Sequence, residues 1–254
     1  LNSIYDQNNW LLKSKSSGRR SYMSSKLHSI INNGLVNNDC YGLVKNAGRV
    51  NIQLLLASFR DYCKRHNNII EEKLNYNDLV INSSSVLFRN FTARKVIFCQ
   101  GYPGLENPYF SNLNFSPTKG EILRIYCKGL NLKKILHSGL FLVPLGGDFY
   151  SVGATYNRNF INNEPTIESK NKIIDILDRT LNKPYRIIKH LAAIRPSTVD
   201  RKPLIGVHQD YKNIYIINGL GTRGVLLAPY LSHLLIQNIY YNKAIPVEID
   251  VNRF

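Results

Sequence analysis

The strongest constraint on this sequence is a glycine-rich turn near its carboxyl end, which joins two segments of different periodicity. Residues 214–217 form a short apolar run rich in β-branched side chains, typical of a buried strand. After the turn, apolar residues recur at helical spacing up to Leu235. The turn itself contains Gly219, Gly221 and Gly224. We therefore predict a buried strand, a tight turn and a helix, in that order.

A helix that begins at such a turn points unpaired backbone N–H groups, and the positive end of its dipole, at whatever lies in front of it. The expected occupant is anionic or electron-rich. Residues 219–224 also match GxGxxG, the dinucleotide-binding fingerprint. That fingerprint should open a βαβ unit of about 30 residues, whereas only a short tail follows this helix. The alternative is a purely structural strand-to-helix turn.

Composition sets broad limits on the class of protein. With 254 residues, 44% of them hydrophobic, we expect a globular chain of one large or two small domains. The net charge of +16 favours attraction to phosphates, nucleic acid or a membrane surface, although a solvated lysine-rich face explains it equally well. The four cysteines lack zinc spacing and no apolar run is long enough to span a membrane, so we expect no metal and a cytoplasmic protein.

The first third of the chain is predicted to contain one helix. Residues 1–40 are polar, and we expect a loose surface segment, with a phosphate or RNA contact as the alternative. Its basic residues are Lys13, Lys15, Arg19 and Arg20. Residues 51–66 show the spacing of an amphipathic helix, whose apolar face we expect to be core. Because the sequence begins at Leu1 and not at Met, we expect a fragment of a longer protein.

The middle of the chain is predicted to be rich in strands. Three short apolar runs lie within residues 79–99, and the last of them ends at Gly101, where another group could approach the backbone closely. Residues 119–121 are expected to lie in a turn that enters the next strand. Two further strands and a helix are predicted at residues 140–143, 150–154 and 167–181.

Five groups of residues occur in the order found in a known family. Residues 193–206 read AIRPSTVDRKPLIG, and the Gly219 turn and Ala228-Pro229 follow them. The earlier groups are the strand into Gly101, Lys119-Gly120-Glu121, and residues 141–144 with 152–155. In these features the sequence resembles the FAD-dependent oxidoreductases of the D-amino-acid oxidase superfamily, which includes glycine oxidase and the flavin half of a tRNA-modifying enzyme. The resemblance covers roughly residues 42–240.

The resemblance implies an α/β (α+β) fold, with a partial Rossmann-type FAD-binding domain and an inserted β-rich substrate domain. Residues 1–104 would be the distal part of the FAD-binding domain, residues 105–195 the substrate domain, and residues 196–254 the return to the FAD-binding domain. Family members begin with a strand–GxGxxG–helix unit that holds the FAD pyrophosphate, and no segment before Gly219 fits it. The helix after Gly219 is then expected to face the flavin ring.

The resemblance also implies site residues. Arg195 is expected to hold the substrate carboxylate through two parallel hydrogen bonds, and the alternative is a structural ion pair with Asp200, or a similar pair, that fixes the turn. Arg223 is expected to contact substrate or flavin, and the alternative is a surface salt bridge. The expected FAD contacts are Gly101, Gly219, Gly221, Thr222, Arg223, Gly224 and Val225. Phe141 and Leu142 stand where glycine oxidase-like members have an aromatic hydroxyl, and neither carries one.

These features predict FAD-dependent oxidation of the C–N bond of an amino acid or secondary amine, with hydride transfer to the flavin. One alternative is a flavin-dependent enzyme that modifies the wobble uridine of tRNA, which the basic charge favours. Another is a truncated, non-catalytic remnant or interaction module, which the lack of a phosphate-binding turn favours.

Overall fold

The structure, a computed structural model, describes residues 1, 3–29, 32, 34–36 and 40–254. In these residues the helices are α1 Ile4–Lys15, α2 Ile52–Arg65, α3 Ile167–Thr180 and α4 Gly224–Tyr241. The strands are β1 Met23–His28, β2 Tyr41–Val44, β3 Leu79–Ile81, β4 Val86–Phe88, β5 Phe91–Ala93, β6 Val96–Phe98, β7 Thr118–Tyr126, β8 Leu136–Ser138, β9 Leu140–Gly146, β10 Phe149–Gly153, β11 Arg186–Arg195, β12 Leu204–Val207 and β13 Ile214–Asn218. This mixture of helix and sheet confirms the predicted α/β class.

The chain divides into two compact units. The first unit is formed by Leu1–Lys73, Lys128–Leu132 and Arg179–Pro184. The second is formed by Leu74–Cys127, Lys133–Asp178 and Tyr185–Phe254. The division into nucleotide-binding and substrate domains at residues 104 and 195 concerns function, and it stays a prediction.

In the first unit, α1 packs on a two-stranded antiparallel sheet formed by β1 and β2. The Trp10 indole lies so close to Gly42 that a Cβ added at Gly42 would collide with it. The Trp10 Nε1–H donates to the Ser24 carbonyl oxygen at 2.9 Å. A glycine at this position of β2 therefore allows the helix to lie on the strand.

Helix α1 and strand β1 show that the prediction of a loose segment over residues 1–40 was wrong. The helix signals were present in the sequence. Ser3 is the N-cap and its Oγ accepts the Asp6 N–H at 3.1 Å, while Lys13 and Lys15 lie in the last turn. An N-cap serine and this order of charges both stabilise a helix. For residues 2, 30, 31, 33 and 37–39, the prediction lies outside the described residues.

Helix α2 confirms the predicted helix but not the predicted core. Leu54, Leu56 and Phe59 are each more than 60% exposed, and α2 contains no buried residue. Amphipathic spacing indicates that a helix has an apolar face, but it does not indicate which residues cover that face. The prediction that this face is core was therefore wrong.

The second unit contains a five-stranded antiparallel sheet in the order β11-β7-β10-β9-β8, which confirms the strands predicted near residues 140 and 150. Strand β7 lies between β11 and β10, and its side chains Leu123 and Ile125 are fully buried. In α3, the predicted helix, Ile173 and Leu177 are buried at helical spacing.

Residues 119–121 lie inside β7, so the prediction that they form a turn was wrong. Each of them has a partner in β11, where Ile194, Ala193 and Ala192 face Lys119, Gly120 and Glu121. Charged residues are rarely buried without a partner, so a Lys-Gly-Glu sequence is not typical of a buried strand. Here both charged side chains are buried and make the polar contacts described below.

A three-stranded sheet in the order β12-β13-β6 carries the glycine turn. Strands β13 and β6 are parallel, and β12 is antiparallel to β13. Buried side chains of β6 and β13 form a core with Phe110 and Val251. A 3-10 turn at Gly221–Arg223 then leads into α4, which confirms the predicted strand, turn and helix. No helix in the described part of the chain combines the length and apolar character needed to cross a membrane.

Candidate active site

The turn after β13 needs glycine at two positions. Gly219 has φ +72° and Gly221 has φ +54°, values that glycine adopts without strain. A Cβ at Gly219 would lie 2.8 Å from Thr198 Cγ2, so the turn packs directly on the segment after β11. No side chain caps the start of α4. Its first N–H groups therefore remain available to a ligand.

A cavity of about 320 Å³ opens at this turn. It is lined by Tyr156, Ser197, Arg201, Gly219, Leu220, Gly221, Thr222 and Arg223. Two of these residues are arginines and none is acidic, so the cavity suits an anionic ligand. Arg223 makes no ion pair with any described residue, which is contrary to the alternative of a surface salt bridge.

Four of the predicted FAD contacts, Gly219, Gly221, Thr222 and Arg223, thus line one cavity. Gly224 and Val225 are the first residues of α4 and do not line it. Gly101 lies beyond β6 with φ +62°, and its carbonyl oxygen accepts the Asn218 Nδ2–H at 2.9 Å. Gly101 therefore lies beside the end of β13 but outside the cavity lining, and its role in binding FAD stays a prediction.

Arg195 is the last residue of β11, beside Thr118 of β7. Its guanidinium lies against Gly120 so closely that a Cβ there would collide with it. Both Nη atoms donate to the Thr155 carbonyl oxygen, at 3.3 and 3.4 Å. The guanidinium carbon lies 5.8 Å from the centre of the Tyr156 ring. We call these residues, Arg195, Gly120, Thr155 and Tyr156, the Arg195 cluster.

Arg195 has no carboxylate partner among the described residues. Asp200, the alternative partner, is held by Arg253 through contacts of 3.0 Å to Nε and 3.2 Å to Nη2. Burial raises the pKa of Asp200, but hydrogen bonds from Arg253, the Lys202 N–H and Thr198 outweigh it and lower that pKa to about 2. Burial lowers the pKa of Arg195, and Tyr156 partly offsets this effect. The Arg195–Asp200 ion pair is therefore wrong, and Arg195 is a partly desolvated cation with donors to spare.

Tyr156 is a candidate residue that the sequence reasoning missed. Burial raises the pKa of its hydroxyl, but hydrogen bonds with Thr118 and Arg158, and the charges of Arg158 and Arg201, lower it below its usual value. By contrast, Phe141 is exposed and packs on His137, with ring centres 4.4 Å apart. An aromatic hydroxyl is thus present at the cavity. Its sequence signal was its place directly after residues 152–155, which carried part of the resemblance.

The opposite face of β7 carries a second group of charged side chains, which we call the Glu121 cluster. The Glu121 carboxylate accepts the Thr166 N–H at 2.8 Å and the Thr166 hydroxyl at 2.9 Å. Lys119 Nζ lies 3.4 Å from this carboxylate and also donates to the Glu164 carbonyl oxygen. His190 Nε2 lies 2.9 Å from Glu121 Oε2, but the two atoms are not aligned for a hydrogen bond.

The charges of the Glu121 cluster compensate one another. Burial raises the pKa of Glu121, but the Thr166 hydrogen bonds, Ser169 and Lys119 lower it below its ordinary value. The carboxylate and the ammonium group are almost completely buried, so neither can be reached from solvent. We assign this cluster to stability, because it has no unpaired charge to offer a ligand.

Together, these features define a class of α/β protein in which a glycine turn leading into a helix, with two arginines, lines a cavity suited to an electron-rich or anionic ligand. The family model described as FAD dependent oxidoreductase (DAO) matches residues 18–238. The chain belongs to this family.

Curated relatives resemble part of the chain. Glycine oxidase of Bacillus licheniformis is 30% identical over 131 residues, which is 50% of this chain and 36% of the relative. The tRNA 5-methylaminomethyl-2-thiouridine biosynthesis bifunctional protein MnmC of Idiomarina loihiensis is 27% identical over 151 residues, which is 56% of this chain and 25% of the relative. The matched stretches thus span between a quarter and somewhat more than a third of these relatives.

A solved structure shows the same fold. The crystal structure of glycine oxidase from Bacillus cereus ATCC 14579 matches with a TM-score of 0.79 at 18% identity, over 96% of this chain and 72% of that chain. This similarity confirms the predicted type of fold. It does not assign an activity, because the sequence identity is low.

Members of this family depend on FAD, and the residues around the cavity fit its flavin ring. The N–H groups at the start of α4 and the Arg223 guanidinium are donors suited to the electron-rich pyrimidine edge of a flavin. The glycine turn leaves room for a flat ring to approach the backbone. Residues 219–224 form the only GxGxxG in the sequence, so this fit concerns the flavin ring and not the FAD pyrophosphate.

Proposed function

We propose that this chain forms the flavin-facing and substrate-facing part of an FAD-dependent oxidoreductase that acts on the C–N bond of an amino acid or secondary amine. The observation that carries the proposal is the unpaired Arg195. A half-buried guanidinium with no carboxylate partner is costly unless a ligand supplies one. An amino-acid carboxylate has the planar shape that a guanidinium binds through two parallel hydrogen bonds.

Each residue then has a distinct task. Arg195 binds the substrate carboxylate, and each charge-assisted hydrogen bond contributes roughly 1.5–3 kcal/mol. Gly120 leaves space for the guanidinium, and the Thr155 carbonyl oxygen fixes its orientation. The start of α4 and Arg223 would hold the flavin ring when FAD is bound. Bound FAD supplies the acceptor for the hydride that leaves the carbon next to nitrogen.

The relatives support this choice of substrate class. Two of the proteins described above carry the name glycine oxidase. A free amino acid offers the carboxylate that Arg195 lacks, and the cavity of about 320 Å³ lies at the lower end of the usual range for small-molecule sites.

The test is the visible absorption spectrum of the purified chain with added FAD, beside a version that carries any coding sequence upstream of residue 1. We expect a yellow protein whose flavin absorption is bleached without oxygen by glycine or N-methylglycine. Acetate, which has the carboxylate but no C–N bond, is the control and should cause no bleaching. A protein that binds FAD and is not reduced by any amino acid would contradict the proposal.

The second candidate function is the oxidation of a carboxymethylaminomethyl group on a uridine of tRNA. The similarity to MnmC and the net charge of +16 favour it. We expect such an enzyme to bind tRNA with an affinity that falls steeply as salt is added, because each phosphate contact releases a counterion. If tRNA neither binds in this way nor protects the flavin from reduction by free amino acids, this candidate is excluded.

A further inference from the structure

We propose that Asn218 is a positioning residue for FAD. Its side chain joins the Gly101 loop (residues 101–106) to the Gly219 turn (residues 219–224), and this link sets the affinity for the flavin. The role rests on the proposed function, which places the flavin ring at the start of α4. It goes beyond that function because Asn218 lies outside the cavity lining and acts only through the two segments that it connects.

Asn218 stands at the edge of the sheet where a cofactor is expected. It is the last residue of β13, which runs parallel to β6. The Gly101 loop follows β6, and the Gly219 turn follows β13. Because the two strands are parallel, both segments leave the sheet at its carboxyl edge, and open α/β sheets bind their ligands outside this edge.

The Asn218 amide makes one hydrogen bond to each segment. Its Nδ2–H donates to the Gly101 carbonyl oxygen at 2.9 Å, and its Oδ1 accepts the Gly219 N–H at 2.8 Å. The side chain is only 2% exposed, so water does not replace either partner. Displacement of either segment would leave a buried amide group without its partner, which is costly. The amide therefore holds the two segments in one arrangement.

The Gly101 loop closes directly over this amide. The Gly101 carbonyl oxygen accepts the Gly104 N–H at 3.1 Å as well as the Asn218 Nδ2–H. A Cβ added at Gly104 would lie 2.8 Å from Asn218 Nδ2, closer than real Cβ contacts. The loop can therefore lie on the amide because residue 104 has no side chain.

A second buried asparagine, Asn213, lies at the other end of the same strand. It directly precedes β13 and is 5% exposed. Its Nδ2 donates to the Asn82 and Ser85 carbonyl oxygens at 2.9 and 3.0 Å, in the turn between β3 and β4. Asn213 and Asn218 thus make hydrogen bonds of the same kind, but only Asn218 makes them at the carboxyl edge. Asn213 is therefore a matched control for a purely structural role.

The experiment compares Asn218→Asp with Asn213→Asp in whichever version of the protein binds FAD in the spectral test above. Both changes replace the N–H donors of an amide by a carboxylate, which only accepts hydrogen bonds. Titration of the flavin-free protein with FAD, followed by flavin fluorescence, gives the dissociation constant. At about pH 8 we expect Asn218→Asp to bind FAD about tenfold more weakly, because it loses the hydrogen bond to Gly101 and places a charge beside that carbonyl oxygen.

Asn213→Asp should lower the free energy of unfolding in urea at least as much, since it removes two hydrogen bonds, but it should leave the affinity for FAD unchanged. An equal loss of FAD affinity in the two variants would overturn the inference, because Asn218 would then act only through stability. Wild-type affinity in Asn218→Asp would overturn it as well. So would a wild-type protein that binds FAD in neither version.

A lower pH should restore the missing donor. Between about pH 8 and about pH 5, a carboxyl buried beside a carbonyl oxygen takes up a proton and can then donate as the amide does. The FAD affinity of Asn218→Asp, relative to the wild-type protein at the same pH, should therefore rise towards the wild-type value. A loss that is equally large at both pH values would contradict the positioning role.

The variant Gly104→Ala tests the same hydrogen bond if Asn218→Asp does not fold. Its added Cβ would press on the Asn218 amide without removing a polar group, so we expect a severalfold loss of FAD affinity. The control is Gly48→Ala, where a Cβ meets no atom within 4 Å. Unchanged FAD affinity in Gly104→Ala would overturn the inference.

Flavin reduction separates this inference from the proposed function. If no amino acid reduces the bound flavin, while the affinity for FAD depends on Asn218 and not on Asn213, the proposed oxidation fails and the positioning role stands. If glycine reduces the flavin of the wild-type protein and of Asn218→Asp alike, and both bind FAD equally well, the proposed oxidation stands and the positioning role fails.

Discussion

Two clusters of charged side chains lie on the two faces of strand β7, and they differ in whether the cation has a carboxylate partner. In the Glu121 cluster, the buried Lys119 has a carboxylate partner at 3.4 Å. In the Arg195 cluster, a partly buried arginine has, among the residues that the structure describes, only the carbonyl oxygen of Thr155 as an acceptor. Both clusters include residues of β7 and of its neighbour β11, so their difference does not come from separate parts of the fold.

A structural charge differs from a ligand-binding charge in whether the protein itself supplies the oppositely charged partner. A buried cation with its own carboxylate contributes to folding, and removal of either partner leaves the other unpaired. A cation without such a partner makes the folded protein less stable until a ligand binds. Substitutions in the Glu121 cluster should therefore mainly lower stability, whereas substitutions in the Arg195 cluster should mainly lower ligand binding.

The largest effect on stability is expected from Glu121→Gln. This change leaves the buried Lys119 without a charge partner, and we expect a loss of about 3–5 kcal/mol in the free energy of unfolding. Urea denaturation followed by circular dichroism measures it. The control is Glu168→Gln, which breaks the exposed pair with Lys172 and should cost less than about 0.5 kcal/mol. A loss below about 1 kcal/mol for Glu121→Gln would contradict the structural role of this cluster.

The largest effect on activity is expected from Arg195→Gln. Removal of two charge-assisted hydrogen bonds should lower kcat/KM for an amino acid by about 100-fold or more, because each is worth roughly 1.5–3 kcal/mol. The unfolding free energy should change by less than about 1 kcal/mol, since no carboxylate is left unpaired. Steady-state kinetics and urea denaturation of the same variant measure the two quantities. A variant that loses stability but retains its activity would show that Arg195 is structural.

A smaller effect on binding is expected from Gly120→Ala. The added Cβ would collide with the Arg195 guanidinium and displace it. Because the guanidinium ends a flexible side chain, we expect little loss of stability but about a tenfold loss of affinity for a carboxylate, the value of one charge-assisted hydrogen bond. The control is Gly48→Ala, where a Cβ meets no atom within 4 Å. If Gly120→Ala binds the carboxylate with unchanged affinity, carboxylate binding does not depend on the position of the Arg195 guanidinium.

The smallest effect concerns Asp200, the carboxylate that Arg195 does not use. The pKa of Asp200 is lowered to about 2 in the folded protein, so its stabilising effect is complete above the unfolded pKa and is lost as the pH falls from about 4 to 2. Asp200→Asn should therefore cost roughly 1 kcal/mol at pH 7 and much less near pH 2, where about half of the carboxyl groups are protonated. Urea denaturation at both pH values measures this difference, with the exposed Asp210→Asn as control. An equal cost at both pH values would rule out the ion pair with Arg253 as its cause.

Local patterns predicted those parts of the fold whose signals lie close together in the sequence. The change from a β-branched run to helical spacing, with glycines between, was sufficient to predict β13, the turn and α4. Helix α3 followed from the same periodicity. The binding role of Arg195 could be predicted only from the resemblance to a family. Local sequence does not reveal it, because the residues around Arg195 come from β7 and from the segment after β10.

The remaining features depend on contacts between distant residues. Glu121 accepts its hydrogen bonds from Thr166, 45 residues away, so the local sequence suggested a turn where the structure has a buried cluster. Tyr156 and Arg201 come together only when the chain after β10 and the chain after β11 reach the glycine turn. Similarly, the spacing of α2 predicted an apolar face but not its exposure.

The most direct test of the account is a crystal structure of the FAD-loaded protein with methoxyacetate, which resembles N-methylglycine but has an oxygen in place of the nitrogen. We predict that its carboxylate makes two parallel hydrogen bonds with the Arg195 guanidinium. A carboxylate bound only by Arg201 or Arg223, with Arg195 still donating only to the Thr155 carbonyl oxygen, would contradict the account. In that case, the unpaired Arg195 would have to be explained without a ligand.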